Sequence, residues 1–133
     1  MQLAQYAKSY KAAAVTTAPP GQLVLMLFDG SLRFLAAARY GFDVEEIARR
    51  HEQIHNNLIR TQKILCELQC SLDLAAGGEF AKTMWALYDF MRDQLQRANL
   101  KKEKEPIGVV EKIIGELRDA WAQMLEQSVA QAA

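Results

Sequence analysis

The sequence predicts an all-α protein, an antiparallel up-and-down four-helix bundle preceded by a mobile or partly helical N-terminal tail. Three observations carry this reading. Apolar residues recur with 3-4 spacing through three long segments, the pattern of bundle helices. The 3 prolines and most of the 7 glycines lie where such helices should start or stop. The connections are short, which makes consecutive helices antiparallel neighbours. No stretch alternates with the period of a strand for long enough to compete.

The first helix is read over residues 20–40. Pro19, Pro20 and Gly21 precede it, and proline suits a first helical turn. Leu23, Met26, Leu27, Gly30 and Phe34 form one stripe of bundle type. A second stripe, Leu25, Phe28, Leu32 and Leu35, runs along the far side. Only Gln22, Asp29 and Arg33 make a polar strip. A helix apolar nearly all round is either central to the fold or covered by something extra, a partner or the chain's own tail. Periodicity leaves open which stripe faces inward.

The second helix spans 44–72, with Asp43 as N-cap and Glu46 three residues on, as in a capping box. Its seam is Val44, Ile47, His51, Ile54, Leu58, Thr61, Leu65, Leu68 and Leu72. Gly77 and Gly78 break the chain before a third helix over 78–101, with the seam Phe80, Met84, Leu87, Met91, Leu95 and Ala98. "KKEKEP" is a polar turn, and Pro106 opens a fourth helix over 106–128, with Val110, Ile113, Leu117, Trp121, Met124 and Ser128 inward. Trp85, Tyr88, Phe90 and Trp121 fall at helical spacings and read as core. The chain thus divides into a tail at 1–18, a bundle at 19–128 and a C-terminal tail at 129–133. In the first tail, Leu3, Tyr6 and Tyr10 share a face if helical. So short a helix is marginal alone, and tyrosines suit interfaces where the ring is buried and the hydroxyl stays wet.

Composition excludes several classes. Sixteen basic and 16 acidic residues cancel, without the basic stripe that nucleic-acid binding needs. "MQLAQYAKSY" lacks the pattern of a secretory signal, and the apolar run "LVLMLF" is far short of the ~20 residues of a spanning helix. The expectation is a cytoplasmic protein with no membrane insertion and no nucleic-acid partner. Cys66 and Cys70 sit four apart in one helical pattern and read as small buried hydrophobes rather than a disulfide framework.

"HEQIH" (51–55) matches the spacing of a helical zinc motif, in which two histidines share a face and a glutamate activates bound water. Catalytic zinc needs a third protein ligand. The positions that one common extension of the motif requires hold Leu58 and Thr61, and Glu67 and Cys66 lie ~16 Å or more along the same helix. No serine or cysteine has a believable base beside it, and no Gly-rich phosphate loop is present. The reading is no cofactor, no metal and no enzyme.

Residues 10–35, "YKAAAVTTAPPGQLVLMLFDGSLRFL", resemble the signature of the flagellar export chaperone family FliS. That signature has a tyrosine, a valine, a Thr-Ala pair, a proline and a helix close to L-x-x-M-L-Y-D-G-A-x-x-F. The matching positions are Tyr10, Val15, Thr17, Ala18, Pro20, Leu23, Met26, Leu27, Phe28, Asp29, Gly30 and Phe34, with Phe28 where the family often has tyrosine. "ALYDFMRDQLQRANLKKE" (86–103) and "ELRDAWAQML" (116–125) extend the similarity, which covers nearly the whole chain. The resemblance implies a cytoplasmic helical bundle that binds the disordered C-terminal segment of flagellin, prevents its premature polymerisation and assists its export. It further implies an N-terminal tail that lies over part of the client surface when flagellin is absent, and contacts with the export apparatus or flagellar regulators. On this basis Tyr6, Tyr10, Val15, Leu25, Phe28, Leu32 and Leu35 are the expected partner contacts. Asp29, Asn99, Arg118 and Asp119 match motif positions that hydrogen bonds inside the bundle explain equally well. The competing reading is a helical dimerisation or regulatory module that uses the same apolar surface.

Overall fold

The computed structural model describes residues 20–132. Four helices occupy almost all of that range: α1 (Pro20–Gly41), α2 (Ile47–Cys70), α3 (Gly78–Lys101) and α4 (Glu105–Ala132). They form a closed square in which α1 packs on α2, α2 on α3, α3 on α4 and α4 back on α1. With their short connections, this is the antiparallel four-helix bundle that the periodicity predicts. The tail at 1–18 lies outside the described residues. The helix α4 continues through residues 129–132, where the sequence reading places a C-terminal tail.

Each turn has a local cause. Between α1 and α2, Phe42, Asp43 and Val44 donate their N–H groups back to Arg39, Tyr40 and Gly41. These tight turns use up the residues expected to begin α2. The helix therefore starts at Ile47, and its cap is Glu46 rather than Asp43, the carboxylate accepting from the Ala48 N–H at 3.1 Å. Before α3, the Asp73 carboxylate accepts from the Ala75 and Ala76 N–H groups. Gly77 follows where a Cβ would lie 2.5 Å from that of Ala81, and Gly78 takes a φ of +58°. At the end of α3, Lys102 adopts a left-handed φ of 52°, and its N–H and that of Glu103 satisfy the Ala98 carbonyl.

The core runs down the axis through Val24, Phe28 and Leu35 of α1, Ile54, Leu58, Leu65 and Leu68 of α2, Met84, Tyr88, Met91 and Leu95 of α3, and Ile107, Val110, Ile114 and Trp121 of α4. This corrects the reading of α1. The line pointing straight inward is Val24, Phe28, Ser31, Leu35 and Ala38, which lies between the two apolar stripes. The supposed outer stripe is divided: Phe28 and Leu35 are buried, while Leu25 and Leu32 are half-buried against the core. Met26, a member of the bundle-type stripe, is 51% exposed. Flanking helices cause this, because the Gly30 and Phe34 flank faces α2, whereas the Asp29 flank faces α4. Ser31 is tolerated inside because its hydroxyl donates to the Leu27 carbonyl at 2.9 Å.

By length and composition alone, Gly21–Gly41 is apolar enough to cross a membrane. In the bundle that surface has neighbours on three sides, and only Gln22, Met26, Arg33, Arg39 and Tyr40 are exposed. The first turns of α2 are less covered than expected, since Ile47 and His51 are exposed. His55 already meets Asn99 in the last turn of α3, so residues before it lie beyond the end of that helix. Trp85 and Phe90 are also exposed rather than core.

This arrangement of α1 separates two substitutions that the sequence alone leaves unranked. Leu35→Ala should destabilise the fold by ~2–5 kcal/mol in urea unfolding, while Met26→Ala stays within ~0.5 kcal/mol of the parent.

Candidate functional site

The facing flanks of α3 and α4 carry apolar side chains that the bundle only half covers. Phe80 and Leu87 lie one heptad apart on α3, and Ile113, Leu117 and Met124 recur at helical spacing on α4. Between them opens a cavity of about 150 Å³ lined by Phe28, Phe80, Met84, Tyr88, Leu117, Ala120 and Trp121. A dry apolar cavity of this size holds a group as large as a benzene ring.

Three helices build its walls. Phe28 reaches it from α1 and meets the Trp121 ring edge to face, with centroids 6.5 Å apart and planes at 74°. Trp121 is fixed by its indole N–H, which donates to the Gly21 carbonyl at 2.8 Å. Gly21 sits in the first turn of α1. Met84 and Tyr88 come from successive turns of α3 and are buried, whereas Ala120 is an exposed rim position on α4. Such a lining offers packing surface to an apolar side chain rather than acid–base chemistry. The sequence reading takes Phe80, Leu87, Ile113, Leu117 and Met124 as core seam. What it misses is that this seam stays open, because periodicity reports which residues share a face and not how closely two faces meet.

The expected contact residues are only partly brought together. Phe28 lines the cavity. Leu25 and Leu32 lie on the α4 flank of α1, half-exposed, and Leu35 is fully buried. Leu35 thus supports α1 from inside the core and presents nothing to a partner in this conformation. Tyr6, Tyr10 and Val15 lie outside the described residues.

The polar motif positions join the helices to one another. Arg118 Nε donates to Asp29 Oδ1 at 2.8 Å across α1 and α4. That bond and the Asp29 charge hold the Arg118 guanidinium above its ordinary pKa, with Asp119 at 3.5 Å contributing less. Arg39 pairs with Glu111 at 2.9 Å on the same seam. Asn99 links α3 to α2, with its Nδ2 2.9 Å from His55 Nδ1, and its Oδ1 accepts from Lys102 Nζ. With Nδ2 as donor, His55 Nδ1 accepts. Partial burial lowers the pKa of Lys102.

These contacts revise the metal motif. His51 is exposed rather than on the seam, His55 is engaged by an amide, and no group of three or more metal-ligating residues occurs among the described residues. The cysteines are less buried than expected, since Cys66 is half-buried and Cys70 exposed. The Cys70 thiol is pushed up from its ordinary pKa, chiefly by its hydrogen bond to Cys66 and by the charge there, with some burial added. A raised thiol pKa keeps the reactive thiolate scarce.

Comparison with known proteins gives one consistent family. The family profile described as Flagellar protein FliS matches residues 2–128. The flagellar secretion chaperone FliS of Bacillus subtilis is 35% identical over 118 residues, covering 89% of this chain and 84% of that protein. The flagellar secretion chaperone FliS of Salmonella typhimurium is 33% identical over 121 residues, covering 90% and 86%. The Vibrio cholerae protein of the same name is 30% identical, covering 92% and 87%.

The amide contact on His55 generates a direct check of the metal motif. Purified protein should carry only substoichiometric zinc by elemental analysis, and a chelator should leave its thermal midpoint unchanged. Stoichiometric zinc, or a midpoint that falls with the chelator, would contradict this arrangement of His51 and His55.

Proposed function

The chain belongs to the Flagellar protein FliS family, and from that premise we propose that it is a cytoplasmic export chaperone for flagellin. It binds the disordered C-terminal segment of flagellin, prevents premature polymerisation and assists export. The observation that carries this reading is the half-open apolar cavity between α3 and α4, a side-chain socket that the four described helices leave unfilled.

The mechanism follows from that shape. An apolar residue of the client enters the socket and packs on Phe28, Met84, Leu117 and Trp121, while neighbouring client residues lie along the half-buried rim of Phe80, Leu87, Ile113 and Met124. The client segment gives up disorder to do so, and the desolvated apolar contact offsets that cost. Covering the polymerising segment lowers the concentration of assembly-competent chains by mass action, without nucleotide chemistry. Leu25 and Leu32 extend the surface on the α1–α4 side. The bundle's electrostatic ties, Asp29–Arg118 and Arg39–Glu111, keep α1 and α4 in register so that the socket has a fixed shape.

The tail shares this surface. Residues 1–17, with Tyr6, Tyr10 and Val15, cover the socket when flagellin is absent and are displaced by it, so that binding includes a displacement cost. Export apparatus components and flagellar regulators are further partners of the same complex.

A flagellin C-terminal peptide should bind the full chain one to one in calorimetry. Ala120→Trp, which fills the socket from an exposed position, should weaken binding at least about tenfold with little change in thermal midpoint. Removal of residues 1–17 should strengthen or speed binding; weaker binding would mean instead that the tail contacts the client directly. A stable dimer indifferent to the peptide would overturn the chaperone reading in favour of a dimerisation module.

A further inference from the structure

The opposite side of the bundle, at the α1–α2 seam, carries a second and chemically different groove. It has a volume of about 390 Å³ and is lined along α2 by Arg49, Glu52, Gln53, Asn56, Asn57 and Arg60, with Val44 at one end. The two arginines are separated by three helical turns, about 16 Å along the axis. Arg60 is held over the Phe34 ring of α1, with its guanidinium carbon 5.8 Å from the centroid. A third guanidinium, that of Arg33, lies over Gly30 beside Ile64, one turn beyond Arg60 on the same seam. None of these three arginines has an ion-pair partner among the described residues.

The amides between them are preset. Gln53 Nε2 donates to the Ala37 carbonyl at 3.1 Å, and Asn57 Nδ2 donates to the Gln53 carbonyl at 2.8 Å. One N–H of each amide is thereby committed to the protein. Among the described residues no hydrogen bond uses the side-chain oxygen of Gln53 or of the mostly buried Asn57, and the exposed amide of Asn56 lies beside them. We propose that this groove docks an extended, acidic protein segment. Its backbone N–H groups bond to the Gln53 and Asn57 oxygens, and two of its carboxylates pair with Arg49 and Arg60.

The geometry sets the ligand's spacing. An extended chain advances about 3.3 Å per residue, so two carboxylates that satisfy both arginines stand about five residues apart. A single phosphate cannot bridge that span. Glu52, one turn from Arg49, repels a carboxylate placed between the two arginines and so disfavours adjacent acidic pairs. The groove is polar and lies across the bundle from the apolar socket, so both can be occupied together. The inference stands whether or not flagellin is the client of that socket.

The test uses the full chain and short fluorescein-labelled Gly/Ser peptides in fluorescence anisotropy at low salt. One peptide carries two glutamates five residues apart, one carries two adjacent glutamates, and one carries glutamines. The five-spaced peptide should bind about fivefold tighter than either of the others. The double variant Arg49→Gln/Arg60→Gln should abolish that preference, and Lys82→Gln should retain it. Equal binding of the two glutamate peptides, or a preference that survives in the double variant with its circular dichroism unchanged, would overturn the proposal.

Discussion

The bundle is organised by the need to cover α1 on three sides. Its apolar residues occupy the core-facing line and both flanks, so one neighbouring helix cannot bury them. α2 takes one flank and α4 the other, and α3 closes the square across the core. The α1–α4 contact is pinned along its length by Trp121 to Gly21, Arg118 to Asp29 and Arg39 to Glu111. Trp121 matters most, because a single buried side chain carries both the hydrogen bond to the first turn of α1 and the ring contact with Phe28. Each salt bridge alone is half-exposed and worth little, and the buried apolar surface supplies the main driving force.

That arrangement leaves an asymmetry with functional weight. With α4 drawn onto α1, its other flank meets α3 loosely at the level of Trp121, and the apolar socket is what remains between them. The same Phe28–Trp121 pair thus anchors the fold and forms one wall of the candidate site. On the other side, the α1–α2 seam opens into a groove lined mainly by arginines and amides rather than apolar groups. The two faces differ in chemistry, and they invite different partners.

Much of the fold was legible in the sequence, because helix number, order and antiparallel packing follow from 3-4 spacing and short, Gly- and Pro-marked connections. α3 begins and ends where the pattern places it. The start of α2 was displaced because three successive backbone turns consume residues 42–44, and turn geometry leaves only a weak trace beside a strong candidate cap such as Asp43. The inward line of α1 was hidden for a different reason. When every flank is apolar, the residue pattern favours no single inward direction. Only the positions of α2 and α4 decide that Phe28 and Leu35 are core while Met26 is not. His51 failed as a seam residue because α3 ends before reaching it, a matter of relative helix length that no single segment encodes. The residues of the socket could be named as seam positions, yet the gap between them depends on how α4 is tied to α1 by contacts about 90 to 100 residues apart in sequence.

The claim that the socket between α3 and α4 is the client surface is tested most directly by methyl-labelled spectra of the full chain titrated with a flagellin C-terminal peptide. The account predicts that the methyl signals of Met84, Leu117 and Ala120 shift together and saturate at one peptide per chain, while those of Met26 and Ile47 stay in place. Shifts at Met26 and Ile47 with the socket methyls unmoved would contradict it.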